Sequence, residues 1–507
     1  MISSTNICIV IAIIAYLGIT LYIGFSFSKK NQNTEDFYLG GRKMGPFVTA
    51  MSAEASDMSS WLLMGLPGVA YLSGICDAAW TAIGLGIGTW LNWFFVSKRL
   101  RRYSSNLGAI TVPDFLSKRY HDKRNIITGI AALIIIIFFV PYTASGFAAC
   151  GKLFNSLFGV PYMTAMVVSA LVIITYTILG GFRAVCTTDL LQSIVMSIAL
   201  ITIVVYGISS AGGIDAVAAN ASALPGYISL NATYDVANNS SSPYGFLSII
   251  STMAWGLGYF GMPHILVRFM SIEDENKLTL SRRIASIWVV FAMAVAIFIG
   301  VIGLAMSKSG AMVSLADSET VIIAIANILS QHGLLTALLA GVILAGILAA
   351  TMSTADSQLL AASSGFSENL LKDFFGVKIS EKQSILVARI TVVVISIISV
   401  FLARDPNSSV FQIVSFAWAG FGGAFGAVIL CSLFWKRTTL AGALAGIISG
   451  GAFVFIWKFL VRPLGGAFNI YELLPAFIVS LVFIIVVSLL TRKPDDSIVK
   501  EFEEARS

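Results

Sequence analysis

The sequence predicts an all-α membrane protein of many spans, built from two related halves, and three observations predict it. Of its 507 residues, 57% are hydrophobic and only 11% charged, for a mean hydropathy of +0.87. Apolar runs of about 20 residues, the length that crosses a bilayer as a helix, recur along the whole chain. Two of these runs, far apart, are interrupted by small, polar or glycine-rich stretches: Met51-Ser-Ala-Glu-Ala-Ser-Asp-Met-Ser-Ser-Trp61 and Trp255-Gly-Leu-Gly-Tyr-Phe-Gly-Met-Pro263. Such stretches release backbone groups from the helical ladder, and in hydrocarbon released groups survive only beside protein or a polar cavity. A pair of breaks in corresponding halves points to a midplane solute and ion site in a secondary transporter.

Thirteen spans are expected: Ile7–Phe27, Phe47–Leu72, Ala78–Val96, Ile126–Leu153, Tyr162–Leu179, Asp189–Ile208, Tyr244–Val267, Ile284–Met306, Val321–Leu359, Ile385–Leu402, Val410–Phe434, Ala441–Phe459 and Leu473–Leu490. The ninth is too long for one crossing, so Val321–Leu329 is expected as a separate interfacial helix. The second span opens one five-span repeat (46–208) and the seventh opens the other (244–434). One helix with its inner loop (1–45) precedes them, two helices (441–490) follow, and a short charged tail (491–507) ends the chain without an appended domain. The whole chain is read as a single transmembrane domain.

Lys and Arg are retained in cytoplasmic loops. With Met1 outside, the inward loops collect Lys29, Lys30, Arg42, Lys43, the cluster Lys98–Arg102, Lys118, Arg119, Lys123, Arg124, Arg268, Lys277, Arg282, Arg283, Lys372, Lys378, Lys382, Lys436 and Arg437. The outward loops hold Lys152, Lys308, Arg404, Lys458 and Arg462, and the long loop 209–243 holds neither residue type. The topology is therefore N-out, C-in. The net charge of +6 is an inner-leaflet signal and does not indicate nucleic-acid binding. The first span has no basic start and no small-residue cleavage site, so it reads as a retained helix. Cys8, Cys76, Cys150, Cys186 and Cys431 are scattered, with no disulfide framework or metal spacing. His264, beside Pro263, reads as structural, and His121 and His332 fall in loops. No nucleophile–base constellation or phosphate loop is present, so an enzyme is not expected.

Asp57 is the costliest residue, since an aspartate near a helix centre opposes insertion by about 2.5–3.5 kcal/mol. It can cap the amides of the following half-helix or attract a cation, and the two roles are compatible.

Leu39-Gly-Gly-Arg-Lys-Met-Gly-Pro-Phe-Val48, Ala55-Ser-Asp-Met-Ser59, Trp61-Leu-Leu-Met-Gly-Leu-Pro-Gly68, Trp255-Gly-Leu-Gly-Tyr-Phe-Gly261, Pro263-His-Ile-Leu266 and Ala417-Trp-Ala-Gly-Phe-Gly422 resemble the sodium:solute symporter family. Within it they are most similar to the bacterial sodium/proline symporters, from about Phe37 to the last span. The resemblance implies a leucine-transporter-type inverted repeat of five plus five helices and sodium-coupled symport of L-proline across a bacterial plasma membrane. Sodium is then the coupling ion, with no organic cofactor. A symporter for another small organic solute, or a non-transporting sensor on the same fold, is the alternative.

Carried over by motif, the sodium site comprises the carbonyls of Ala55, Met58 and Ala350 and the hydroxyls of Ser353 and Thr354, with Asp57 drawing the ion in. Helix packing with back-bonded hydroxyls is the plain reading of Ser353 and Thr354. Some members of the family bind a further sodium where this chain has Asp189, Asp356 and Ser357. Asp189 can equally cap a helix or pair with Arg183. For the solute, Trp61, Tyr142, Trp255 and Tyr259 form an expected aromatic box at the breaks, with Met262 and Pro263 beside it. Trp90 and Trp93 read as packing or interfacial aromatics. Three positions depart from the sodium/proline pattern: Met262 stands for Gln, and Glu54 and Ser60 each for Gly.

Overall fold

The computed structural model describes residues 4–28 and 33–506, so Met1, Lys29, Lys30 and Ser507 lie outside the described residues. Among the described residues, nine helices are long and apolar enough to cross a membrane. They are Ser4–Phe27, Ile126–Phe158, Gly180–Ser210, Glu275–Lys308, Leu334–Phe374, Glu381–Leu402, Val410–Phe434, Leu440–Leu464 and Leu473–Leu490. The remaining expected spans appear as shorter or broken helices. The first broken helix runs Pro46–Asp57, leaves helical geometry at Met58, and resumes with a wide π turn, Trp61–Gly65, and Leu66–Ser73. The second runs Phe246–Met253, tightens to a 3₁₀ stretch over Ala254–Gly261, breaks at Met262 and resumes as Pro263–Ser271. Proline at the first position of that last segment costs nothing, because the amide it lacks has no intrahelical partner there.

Val321–Ser330 is a helix separate from Leu334–Ser364, as the length of the ninth run required. The fifth and sixth expected spans appear as two helices, Tyr162–Ile178 and Gly180–Ser210, divided by a kink at Gly181 (φ 64, ψ −171), a backbone setting that glycine adopts without strain. The inner arm of this kink begins at Gly180, so Asp189 lies more than two turns inside a helix and cannot cap it.

Close packing positions the second break. Gly84 and Gly88, one turn apart on Ile75–Leu91, rest directly on the backbone of the 3₁₀ stretch, and a Cβ at Gly88 or Gly256 would overlap the facing carbonyl. One end of the bundle is tied shut. Arg42 donates to Met270 O at 2.8 Å and Ala109 O at 2.6 Å, Met44 and Ile272 pair as a short bridge, and Arg102 forks onto Glu275 at 2.7 and 3.2 Å. That fork holds the Arg102 guanidinium above its ordinary pKa. The other end opens into a vestibule of about 960 Å³ lined by Ser73, Lys152, Phe411 and Arg462 among others.

Candidate functional site

The first break frees carbonyls at a defined point. In a continuous helix the Ser59 amide would donate to Ala55 O and the Leu62 amide to Met58 O. Here Ser59 N–H turns to Asp57 O at 2.8 Å and Leu62 N–H to Ser59 O at 3.0 Å. The freed Ala55 carbonyl accepts the Ser353 hydroxyl at 2.7 Å, and the same hydroxyl reaches Ala350 O at 3.1 Å. Thr354 Oγ1 lies 3.3 Å from Ala350 O. Four of the five expected sodium ligands thus converge across two helices, and Met58, bent out of the helix at ψ 62, offers the fifth carbonyl three residues beyond Ala55. All five residues are almost wholly buried. A cluster of neutral oxygens drawn from unwound backbone and hydroxyls suits a hard monovalent cation.

Asp57 ties this break to the other one. Its Oδ2 accepts a short hydrogen bond from the Tyr259 hydroxyl, while Oδ1 has no partner among the described residues. Its carbonyl takes Trp61 Nε1 at 3.2 Å and the Tyr142 hydroxyl at 3.5 Å. The amide of Trp61 is met by Ser59 Oγ at 3.4 Å, so the Asp57 carboxylate crosses to the second break instead of capping the half-helix at Trp61.

The aromatics gather as two linked pairs. Trp61 and Trp255 lie 6.0 Å apart, and Tyr142 and Tyr259 meet at Asp57. Sequence reasoning missed the rest of the shell. Around Trp255 stand Phe411 at 5.4 Å, Trp418 at 6.2 Å and Tyr471 at 5.1 Å, the last nearly parallel at 21°. Trp418 Nε1 donates to Trp255 O at 2.7 Å and Asn92 Nδ2 to Tyr259 O at 3.0 Å, which satisfies carbonyls of the 3₁₀ stretch. Only Trp418 carried a signal, in the Ala417–Gly422 motif; the others lie in unremarkable apolar sequence. Met262 is fully buried at the break itself. Pro263 faces elsewhere: with His264 and Arg268 it lines a separate narrow cleft of about 30 Å³.

Trp93 is the packing alternative of the two expected for it, lying 4.5 Å from the Phe269 ring. It is 3% exposed, and its Nε1 donates to Glu54 Oε1 at 2.9 Å, which gives that departing carboxylate a partner. Trp90, 43% exposed, is the surface aromatic expected.

A second buried cluster surrounds Asp189. Its Oδ2 accepts Ser52 Oγ at 2.6 Å and Arg268 Nη2 at 3.2 Å, so its cationic partner is Arg268 of the second broken helix and not Arg183. Arg268 Nη2 also reaches Ser357 Oγ at 2.5 Å. Asp356 takes the Tyr176 hydroxyl at 2.8 Å and Ser357 Oγ at 3.2 Å.

Above Trp255, Glu319 staples the vestibule wall. Its carboxylate accepts Ser409 Oγ at 2.8 Å and the amides of Val410 and Phe411 at 3.1 Å, at the start of the Val410–Phe421 helix. Lys152 lies 2.8 Å from it.

Two broken helices joined through Asp57 and Tyr259, the first meeting Leu334–Ser364 in a buried cluster of oxygens beneath a vestibule, define a secondary transporter. More particularly, the sodium:solute symporter family model matches residues 37–450, and the chain belongs to that family. It is 41% identical over 501 residues to the sodium/proline symporter of Escherichia coli strain K12, covering 97% of this chain and 94% of that one. It is likewise 41% identical over 486 residues to the high-affinity proline transporter PutP of Bacillus subtilis, covering 96% and 98%. Among solved structures, a substrate-bound, outward-open sodium-coupled sialic acid symporter superposes with a TM-score of 0.78 at 18% identity, over 96% of this chain and 99% of that one. MhsT in complex with L-phenylalanine gives 0.52 at 12% identity, over 88% and 97%. At these identities the likeness is one of fold.

Proposed function

We propose that this chain carries L-proline into the cell together with sodium, by alternating access, in a bacterial plasma membrane. One observation bears most of the weight: the Ser353 hydroxyl is aimed at the carbonyl that the first break releases from Ala55. Sodium entering there replaces that hydrogen bond with ion contacts to Ala55, Met58, Ala350, Ser353 and Thr354, and so fixes the two helices against each other. Asp57 supplies the attracting charge and, through Tyr259, passes the change to the second break. The solute binds among Trp61, Tyr142, Trp255 and Tyr259, where rings cover its apolar face and freed backbone groups meet its charges. The names of the similar proteins favour proline. Met262, where the sodium/proline pattern has Gln, is the one solute-side departure.

The vestibule end, which carries Lys152, Lys458 and Arg462, is read as the outside, giving thirteen spans with N-out and C-in. The tied end, with Arg42, Arg101 and Arg102, is then the closed cytoplasmic side. Within the Asp189–Asp356–Ser357 cluster the Arg268 guanidinium takes the role of a cation at Asp189, so we read the coupling as one sodium per solute. An inward sodium ion is worth about 2.3 kcal/mol per 100 mV, before the concentration term.

The test is uptake of radiolabelled proline and sodium by proteoliposomes, with and without an imposed sodium gradient. Proline accumulation that requires the gradient and moves one sodium per proline is expected. Uptake indifferent to sodium, or proline excluded while another small solute competes, would overturn the reading.

A further inference from the structure

Tyr471 lies outside both repeats, in the segment between the last two long helices, yet its ring forms one wall of the aromatic cluster. It stacks on Trp255 at 5.1 Å and 21°, closer than any other ring recorded against that indole. Two polar contacts fix it. Its hydroxyl donates to Ser415 O at 2.7 Å on the Val410–Phe421 helix, and its amide donates to Ser251 Oγ at 2.6 Å on the second broken helix. The neighbouring Glu472 is fully buried and anchors the segment from behind, bonded to Arg462 at 3.0 Å and within 3.4 Å of Lys458. Tyr471 also lines a cavity of about 290 Å³ together with Trp255 and Phe411, so that space borders both stacked rings.

We propose that Tyr471 is a positioning residue that sets solute ring size: by holding the Trp255 indole in place it limits the pocket to a small imino acid and disfavours larger rings. This rests on the reading of the solute given above. The physical argument is steric. Trp255 packs against both Trp61 and Tyr471 and borders the 290 Å³ space, so truncating Tyr471 adds the volume of its ring to that space and gives the indole room to shift into it. A pocket enlarged by one methylene changes selectivity by roughly tenfold to a few hundredfold. The effect falls on the solute and not on sodium, because none of the sodium-site oxygens touches Tyr471.

The experiment compares sodium-driven uptake of L-azetidine-2-carboxylate, L-proline and L-pipecolate, with four-, five- and six-membered rings, in wild type, Tyr471→Phe and Tyr471→Leu. Wild type is expected to prefer proline. Tyr471→Leu is expected to shift kcat/KM toward pipecolate by about tenfold while half-saturating sodium stays unchanged. Tyr471→Phe, which keeps the ring, restores the wild-type preference. An unchanged preference in Tyr471→Leu, or equal losses for all three solutes and for sodium affinity, would overturn the inference. Should wild type carry another small zwitterion in place of proline, the solute reading falls by itself, and the Tyr471→Leu ratio is then read on that solute and its one-carbon homologue.

Discussion

At the scale of single residues, Ser353 and Thr354 differ in what they hold. Ser353 bridges two helices through Ala55 O and Ala350 O, whereas Thr354 bonds only within its own helix. In the proposed sodium site each supplies one of five oxygens, and both side chains are buried away from solvent. Ser353→Ala and Thr354→Ala are each expected to raise half-saturating sodium by about tenfold or more, the equivalent of ~1.4 kcal/mol, with Ser353→Ala the more severe. Titrating proline uptake against sodium checks this, and an unchanged half-saturation in both would remove the site. Glu54 supplies a second prediction. Its Oε2 already lacks a partner among the described residues, so Trp93→Phe would leave the whole carboxyl group without a donor. A loss of about 1–3 kcal/mol of stability is expected, seen as a lower melting temperature in detergent. Adding Glu54→Ala to Trp93→Phe should recover part of it, because the stranded polar group is then gone.

At the scale of elements, Glu319 shows how a loop controls a helix end. One carboxylate answers two amides and a hydroxyl at the first turn of Val410–Phe421, where the helix dipole favours negative charge, and it also pairs with Lys152. Glu319→Ala should loosen that turn by about 0.5–2 kcal/mol, the usual worth of a helix cap. The expected readout is faster hydrogen exchange at Val410 and Phe411, with a raised half-saturation for the solute, since Phe411 packs on Trp255. Both breaks were legible in the sequence, because a run such as Trp255–Met262 offers too few side chains to keep a helix in lipid. The independent Val321–Ser330 helix was legible from length alone. The separation of the fifth and sixth spans at Gly180-Gly-Phe-Arg183 was legible too, but the start of the second helix at Gly180, well before Asp189, was not, because Arg183 and Asp189 read as a loop and a cap. Trp93, Tyr471 and Glu319 were hidden for a different reason. Their roles come from partners 39, 216 and about 90 positions away, and no local pattern records such distances.

At the scale of the whole molecule, the two ends differ in what keeps them closed. The tied end is held by guanidinium groups on backbone carbonyls and by the Arg102–Glu275 fork, while the vestibule end is open. Arg102→Ala combined with Glu275→Ala removes one tie without leaving a lone charge. It should shift the resting population toward opening at that end, by no more than about 1 kcal/mol, since both side chains are partly exposed. Thiol-labelling rates measure this: a cysteine at Ser271 should react faster from the tied end in the double variant, and one at Ser415 more slowly from the vestibule end. No change at either position would mean that the remaining arginine contacts carry the closure alone.

Gly84, Gly88 and Gly256 bring main chain against main chain with no side-chain layer between them. Two segments so joined have nothing compressible at their seam, and they cannot slide past one another without a carbonyl riding over a glycine. Ile75–Leu91 and Ala254–Gly261 must therefore travel as one lever through the transport cycle. Spin labels placed one on each arm should report a constant separation in sodium-free, sodium-loaded and solute-loaded protein, while labels placed across the vestibule change theirs. The same seam closes a familiar route to a hardier protein: alanine in place of these glycines, which elsewhere stiffens a helix, would here pry the lever apart.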